Sequence, residues 1–344
     1  MGIYQLLFLD RVPDHAAIND SVELVKRAKK GSAKGLVNAI LRGIAREGAG
    51  TVPDDDSIRT SHPEWLLDRW AGVWGREAAV AIAEANNREP VAAMRAVTDT
   101  GKELLERSGA SRSSNVPGCY LVERITPEMR SASEQGDIYF QDEGSQMVGS
   151  AALETGPNKL RDVCASPGGK ASQIATALDG PQIVAGDVTR SRVALLAEIV
   201  ARFAPGRVDI VRYDAEVTLP FTDSYFDTVL VDAPCSGTGT IGHNPEIRYH
   251  LRAEDTPVFA SRQATILENA SNAVRHGGHL IYSTCSLEPE ENEAVIERFL
   301  AGHSDWRVER PLVPEKFLTN EGFARTFPHR DGMDGFFISM LRKA

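Results

Sequence analysis

The chain is predicted to be an α/β protein with a mostly parallel sheet, preceded by a small α+β segment and an all-helical N-terminal part. Three observations point there. From Lys159 onward, short apolar runs alternate with helical patterns, as in a parallel sheet covered by helices on both faces. Between Pro90 and Gln141 the apolar runs are short and separated by turn residues. Before residue 50 the apolar residues recur at helical spacing.

The elements follow in order. Residues 18–30 and 33–47 are predicted helices. Ile18, Val22, Val25 and Ala28 share one face of the first, and Leu36, Ile40, Leu41 and Ile44 one face of the second. Gly31-Ser32 breaks them apart. Gly48 to Ser61, rich in Gly, Pro and Asp, reads as a linker. Residues 63–87 read as two helices packed through Trp65, Leu66, Trp70 and Trp74, with the tryptophans taken as core rather than as platforms for bases. Strand-like runs at 92–98, 120–125 and 138–141 surround a helix at 101–107. In the α/β part, strands are expected at 160–163, 183–187, 208–213, 226–232, 279–283 and 336–341. Helices are expected at 170–178, 190–203, 255–275 and 288–300. The implied domains are 1–50 (helical), a linker at 51–61, a mixed segment at 62–150 and the α/β domain at 151–344.

Bulk properties exclude several classes. The 344 residues are 42% hydrophobic and 25% charged, an ordinary globular composition. No apolar run approaches the roughly 18–20 residues that span a membrane. The N-terminus has neither a basic leader nor a small-residue cleavage site, so a cytoplasmic protein, taken as a monomer, is expected. Cys119, Cys164, Cys235 and Cys285 are the four cysteines. A large chain without a secretion signal rarely uses disulfides. No Cys-x-x-Cys pair or Cys/His cluster has zinc spacing, so no metal is expected and the thiols are structural or catalytic. The net charge of −10 taken alone argues against nucleic acid, since phosphates are met by Lys and Arg. Its distribution matters more. Residues 1–50 hold eight basic against five acidic side chains, so the rest of the chain carries −13. The run Lys26-Arg-Ala-Lys-Lys30 is either a solvated face or an RNA-facing patch.

Two regions carry chemistry. Asp162-Val-Cys164-Ala165-Ser166-Pro167-Gly168-Gly169-Lys170 follows the first α/β strand and opens a helix. The glycines allow close backbone approach, and the helix start offers free N–H donors. Asp187, Asp214 and Asp232 sit at the ends of the next three strands. An acid at Asp187 can accept from ribose hydroxyls, and Asp214 can reach an adenine amine. The loop is neither Gly-x-Gly-x-x-Gly nor a P-loop, which disfavours dinucleotides and triphosphates. A ligand with a ribose, an adenine amine and a positive centre suits the acids, and S-adenosylmethionine has all three. For any single acid, a helix cap or turn role is the plainer alternative. In the second region, Val231-Asp-Ala-Pro-Cys-Ser-Gly-Thr-Gly239 places Asp232 and Cys235 beyond a strand end, where α/β sheets bind ligands. Cys285 follows another strand in Ser283-Thr-Cys-Ser286.

Pro234-Cys-Ser-Gly-Thr-Gly239, Ser283-Thr-Cys-Ser-Leu-Glu-Pro-Glu-Glu-Asn292 and Cys164-Ala-Ser-Pro-Gly-Gly-Lys170 resemble the motifs of the NOL1/NOP2/Sun family of RNA cytosine-5 methyltransferases. Arg325-Thr-Phe-Pro-His-Arg-Asp-Gly-Met-Asp-Gly-Phe-Phe337 is similar as well. Val12-Pro-Asp-His-Ala-Ala and Lys34-Gly-Leu-Val-Asn-Ala-Ile-Leu-Arg42 resemble the NusB-like domain of the family's bacterial 16S rRNA member, the Sun/Fmu type. The resemblance covers almost the whole chain. It implies a Rossmann-like S-adenosylmethionine methyltransferase domain acting on a cytosine of 16S ribosomal RNA. It also implies that Cys285 is the nucleophile and that Cys235 assists product release. Asp232 would contact N3 and N4 of the cytosine, and Lys170 would lie near both cofactor and base. Cys164 to Lys170, with Asp187, Asp214 and Asp232, would bind the cofactor. Cys164 is expected to be a packing thiol, and Cys119 and His329 structural.

Two departures stand out. Ser166 replaces the family's usual alanine, a small change. A NusB-like bundle exceeds 100 residues, and only about its last 50 match here. The helices at 3–47 are then expected to expose apolar faces such as Leu6, Leu7 and Leu36, with poor solubility or a weakened grip on RNA. Other readings stay open: 5-methylcytosine formation in another RNA such as transfer RNA, or a non-catalytic RNA-binding ribosome-assembly factor. The twin cysteine motifs and basic helices disfavour a methyltransferase for DNA or small molecules.

Overall fold

The computed structural model describes residues 1–48, 54–178, 180–217 and 219–344. The chain forms two compact units, Met1–Ser61 and His62–Ala344. The first holds α1 (Gly2–Phe8), α2 (Asp14–Arg27), α3 (Lys34–Glu47) and α4 (Asp56–Thr60). Ala17, Ile18, Val22 and Leu41 are buried. Residues 49–53 of the expected linker lie outside the described residues. Part of the rest is helical, because Asp55 accepts hydrogen bonds from the amides of Ser57 (2.8 Å) and Ile58 (3.3 Å) and so caps α4. Leu36 is exposed as expected, whereas Leu6 and Leu7 are half-buried. The apolar side chains left outside are instead Ile3, Tyr4, Phe8, Leu9, Leu24, Leu36 and Ile40.

The second unit opens with α5 (Glu64–Trp74) and α6 (Arg76–Ala85), joined at Gly75. Leu66 and Trp70 are fully buried between them, and Trp65 and Trp74 pack against that cluster. A four-stranded antiparallel sheet follows, ordered β2-β3-β1-β4: β1 (Ala92–Ala96), β2 (Ser111–Arg112), β3 (Cys119–Val122) and β4 (Ile138–Phe140). Its helices are α7 (Asp99–Arg107) and α8 (Pro127–Gln135). Then α9 (Glu143–Glu154) leads into the large sheet.

That sheet contains β5 (Lys159–Asp162), β6 (Gln182–Asp187), β7 (Val208–Arg212), β8 (Phe226–Asp232), β9 (Val274–Thr284), β10 (Trp306–Glu309), β11 (Ala324–Arg325) and β12 (Phe337–Lys343). The order is β10-β12-β9-β8-β5-β6-β7, with β11 paired to β12. The pairs from β9 through β7 are parallel, and β12 runs antiparallel between β9 and β10. Thr228 to Val231 of β8 are buried throughout, as expected of a strand covered on both faces. The helices are α10 (Gly169–Ala177), α11 (Arg190–Phe203), the short α12 (Ile247–His250), α13 (Asp255–Ser271), α14 (Glu293–Gly302) and the short α15 (Pro328–Asp331). Strand order reverses between β5 and β8. That is the switch point of an α/β sheet, where a crevice opens beyond the strand ends.

One expected helix is too long. α13 stops at Ser271 rather than at Arg275. The amides of Tyr225 (3.0 Å) and Phe226 (2.9 Å) donate to the carbonyl of Ala273. Val274 then pairs with Phe226 and starts β9. The apolar pattern runs on through Ala273 and Val274, but sheet pairing outweighs helical periodicity there.

Gly186 in β6 shows how tightly the sheet is packed. A Cβ there would lie 2.1 Å from the Tyr213 ring and 2.4 Å from the Val211 carbonyl. Gly186→Ala is expected to destabilise the second unit by about 1–3 kcal/mol, as overpacking does. The urea midpoint measures this, and an unchanged midpoint would contradict the close approach.

Candidate active site

The carboxyl ends of β5, β6, β8 and β9 converge at the switch point. After β5 the chain turns through Cys164–Gly168 into α10. Gly168 has φ +116°, a conformation that favours glycine. A Cβ on Gly169 would sit 3.0 Å from the ring of Tyr139, so this backbone lies against its neighbours without room for a side chain. The amide of Ser166 donates to Asp187 Oδ2 (3.1 Å), which fixes the loop on the end of β6. Asp187 Oδ1 also accepts from the Val188 amide (2.8 Å) and Arg192 Nε (2.7 Å). Three donors therefore already meet the carboxylate expected to hold ribose, which leaves it one free acceptor direction unless Arg192 moves. Arg192 is half-exposed. Asp214, after β7, accepts from the Glu216 amide (2.9 Å).

Asp162, at the end of β5, is 1% exposed, and neither carboxylate oxygen has a hydrogen-bond partner. Burial pushes its pKa up to about 7, the Asp232 and Asp187 charges push the same way, and Lys170 opposes them. A buried acceptor left empty is a place for a donor.

Asp232 ends β8 and is gripped from two sides. Lys170 Nζ lies 2.7 Å from Oδ2, and Ser283 Oγ donates to Oδ1 at 2.8 Å. Burial works against the Lys170 charge, but the Asp232 carboxylate outweighs it and holds the ammonium above its ordinary value. The two expected thiols meet: Cys235 Sγ and Cys285 Sγ are 3.4 Å apart. The hydrogen bond to Cys285, then burial, then the Glu291 and Asp232 charges push the Cys235 thiol well above the ordinary thiol range. Either sulfur can donate in that contact. Cys164 lies in the loop, packed against the core, and burial pushes its thiol up. Cys119 is fully buried away from this centre, in contact with Gln146 Nε2 at 3.4 Å. His329 packs against the Phe327 ring.

The residues that hold this geometry went unnoticed in the sequence. Glu291 is fully buried. Its Oε2 accepts from the Ser236 amide (2.9 Å) and Gln263 Nε2 (2.8 Å), and its Oε1 from Ser286 Oγ (2.8 Å). It thus ties the residue after each thiol to one carboxylate. Thr284 Oγ1 donates to Asn292 Oδ1 at 2.5 Å. Asp142, His243 and Asp334 also come together beside the site, with ligand-type atoms all within 4.8 Å of one another. They stand on three distant stretches, so no spacing rule could have found them.

Residues 152–342 match the family described as 16S rRNA methyltransferase RsmB/F, and residues 1–46 match the NusB family. The chain is 34% identical to the probable ribosomal RNA small subunit methyltransferase B of Bacillus subtilis, over 100% of this chain and 81% of that protein. It is 32% identical to the ribosomal RNA small subunit methyltransferase B of Erwinia tasmaniensis, again over 100% and 81%. The crystal structure of PH0851 has the same fold, with a TM-score of 0.84 and 26% identity over 99% of this chain and 80% of that one. The fold and its switch-point site are those of a Rossmann-like methyltransferase. The chain belongs to the 16S rRNA methyltransferase RsmB/F family, with a NusB-like N-terminal region. S-adenosylmethionine is the cofactor. The residues present fit it, because Asp162 offers an unused buried acceptor at the end of β5. Among the described residues, no helix is long and apolar enough to cross a membrane.

Asp162 gives a pH test. Its pKa is raised in the folded state, so that state binds the extra proton between the ordinary value near 3.8 and about 7. Stability from this group is therefore full at low pH and is lost as pH rises through that window. The thermal midpoint of the wild type, relative to Asp162→Asn, is expected to fall from pH 4 to 7 and then level off. A constant difference between the two proteins would count against the buried, unpaired carboxyl.

Proposed function

We propose that this protein methylates carbon 5 of a cytosine in 16S ribosomal RNA through a covalent thiol adduct. The observation that carries the reading is the pair of thiols 3.4 Å apart beside the Lys170–Asp232 ion pair. Carbon 5 of cytosine is a poor nucleophile. Addition of the Cys285 thiolate to carbon 6 forms a C6–S bond and moves electron density to carbon 5. Asp232 is held by Lys170 and Ser283 with acceptor directions to spare. It receives hydrogen bonds from the N4 amine and a protonated N3, which makes the ring electrophilic enough for attack. S-adenosylmethionine supplies the methyl group that carbon 5 takes up. A base, water in the simplest case, takes the carbon-5 proton, the C–H electron pair re-forms the C5=C6 bond, and the C6–S bond breaks to return the Cys285 thiolate. Cys235, whose sulfur is 3.4 Å from the departing one, assists that release. The loop from Cys164 to Lys170, with Asp187, Asp214 and Asp232, holds the cofactor. The base must be unpaired or flipped to reach the thiols.

The substrate rests on the curated relatives, which are named for the small ribosomal subunit. The NusB-like region, with its basic run at Lys26–Lys30, is read as an RNA-binding part.

Substitution of the thiols tests the chemistry. Cys285→Ala is expected to lower turnover by about 10³-fold or more and to abolish any RNA–protein adduct. Cys235→Ala is expected to accumulate a covalent RNA adduct that survives denaturing electrophoresis. Activity retained by Cys285→Ala would overturn the mechanism. Mapping 5-methylcytosine in 16S and transfer RNA from a deletion strain tests the substrate, since loss from transfer RNA alone would redirect it.

A further inference from the structure

A cleft of about 230 Å³ lies on the far side of the loop that carries Cys235, lined by Asn86, Asp142, His243, Met333 and Asp334 among others. It is coupled to the thiols through backbone alone. The Gly239 amide donates to the Cys285 carbonyl (2.9 Å), and the Gly335 amide donates to the Gly239 carbonyl (2.8 Å). Within the cleft, His243 Nδ1 lies 2.9 and 3.0 Å from the two oxygens of Asp334. Asp142 faces this pair. Its Oδ1 caps α9 through the amides of Gly144 (2.7 Å) and Ser145 (3.3 Å), which leaves Oδ2 for the cleft.

We propose that Asp142, His243 and Asp334 form a binding site for a divalent transition cation, Mn²⁺ or Zn²⁺ in type. The bland alternative is a solvated His–Asp ion pair with a nearby helix cap. That alternative leaves two demands unmet. Two carboxylates crowd one imidazole, with Glu143 a third acid at the wall while Arg88 and Glu89 offset each other, and a divalent cation would relieve that crowding of like groups. Asn86, also in the wall, is 3% exposed, and its Oδ1 has no hydrogen-bond partner. The buried atom left unsatisfied in the wall is an acceptor, which suits a cation. An RNA phosphate would be repelled unless a cation came first. Two carboxylate oxygens and one imidazole nitrogen suit Mn²⁺ or Zn²⁺ better than Mg²⁺, which prefers oxygen ligands and keeps its waters. The cation takes the place that the imidazole proton holds between His243 and Asp334. It would join the start of α9, the loop after Cys235 and the segment before Phe336, and so steady the thiol loop.

The full chain, freed of metal by a chelator, is titrated with MnCl₂ and followed by electron paramagnetic resonance, with ZnCl₂ calorimetry in parallel. One Mn²⁺ per chain and a raised thermal midpoint are expected. Asp142→Asn keeps the helix cap, since Asn caps as well as Asp. It should bind Mn²⁺ about tenfold or more weakly with an unchanged circular dichroism spectrum. Asp334→Asn should lose binding and the thermal shift together. Absence of binding by roughly 1 mM Mn²⁺ or Zn²⁺, or equal binding by wild type and both variants, would overturn the site.

Discussion

Lys170 carries its ammonium into a site where its side chain is 12% exposed. A buried ammonium persists only beside an opposite charge, and Asp232 supplies it at 2.7 Å. The pair joins α10, which follows β5, to the end of β8. It therefore closes the crevice where strand order reverses. Removing either partner of such a pair strands the other charge, a loss of about 3–5 kcal/mol. The consequence reaches further than stability. Ser283 holds the second oxygen of Asp232, and Cys285 lies two residues after Ser283. The loop after β5 and the strand that leads to Cys285 thus take their positions from one carboxylate.

A second shared carboxylate does the same for the two thiol loops. Glu291 binds Ser236 and Ser286, the residues immediately after Cys235 and Cys285. Burial raises its pKa against the hydrogen bonds from Ser236, Gln263 and Ser286 that lower it. A half-satisfied carboxylate there would be costly, so the donors and the acid require one another. Gly239 completes the frame. A Cβ at that position would stand 2.1 Å from the Gly335 carbonyl and 2.8 Å from that of Cys285. The separation of 3.4 Å between the thiols follows from these close approaches.

Much of this was legible in the sequence. The alternation after Lys159 marked the parallel sheet, and acids at the ends of β6 and β8 fell where strand-end logic put them. The two cysteines were legible because each follows a strand and stands among small residues. What stayed hidden was long-range or antiparallel. The end of α13 depends on pairing of Ala273 and Val274 with Tyr225 and Phe226, which no local pattern encodes. α8 and α9 were missed because Met129, Ala132, Met147 and Val148 are spread among polar and small residues. Their caps, Thr126 and Asp142, were the available signal. Asp162 was read only as the start of the loop, since nothing local shows that its oxygens lack donors.

The charges around the switch point also bear on turnover. Asp162, Asp187 and Asp232 face Lys170 and Arg192, so the centre carries at most one excess negative charge. With its pKa near 7, Asp162 makes that excess adjustable at neutral pH. The sulfonium of S-adenosylmethionine is one more positive charge that would offset repulsion among the three acids. In a site this buried that interaction is weakly screened. Protonation of Asp162 lowers the same repulsion, so this buried carboxyl, which no protein group satisfies, ionises more readily with a cation beside it.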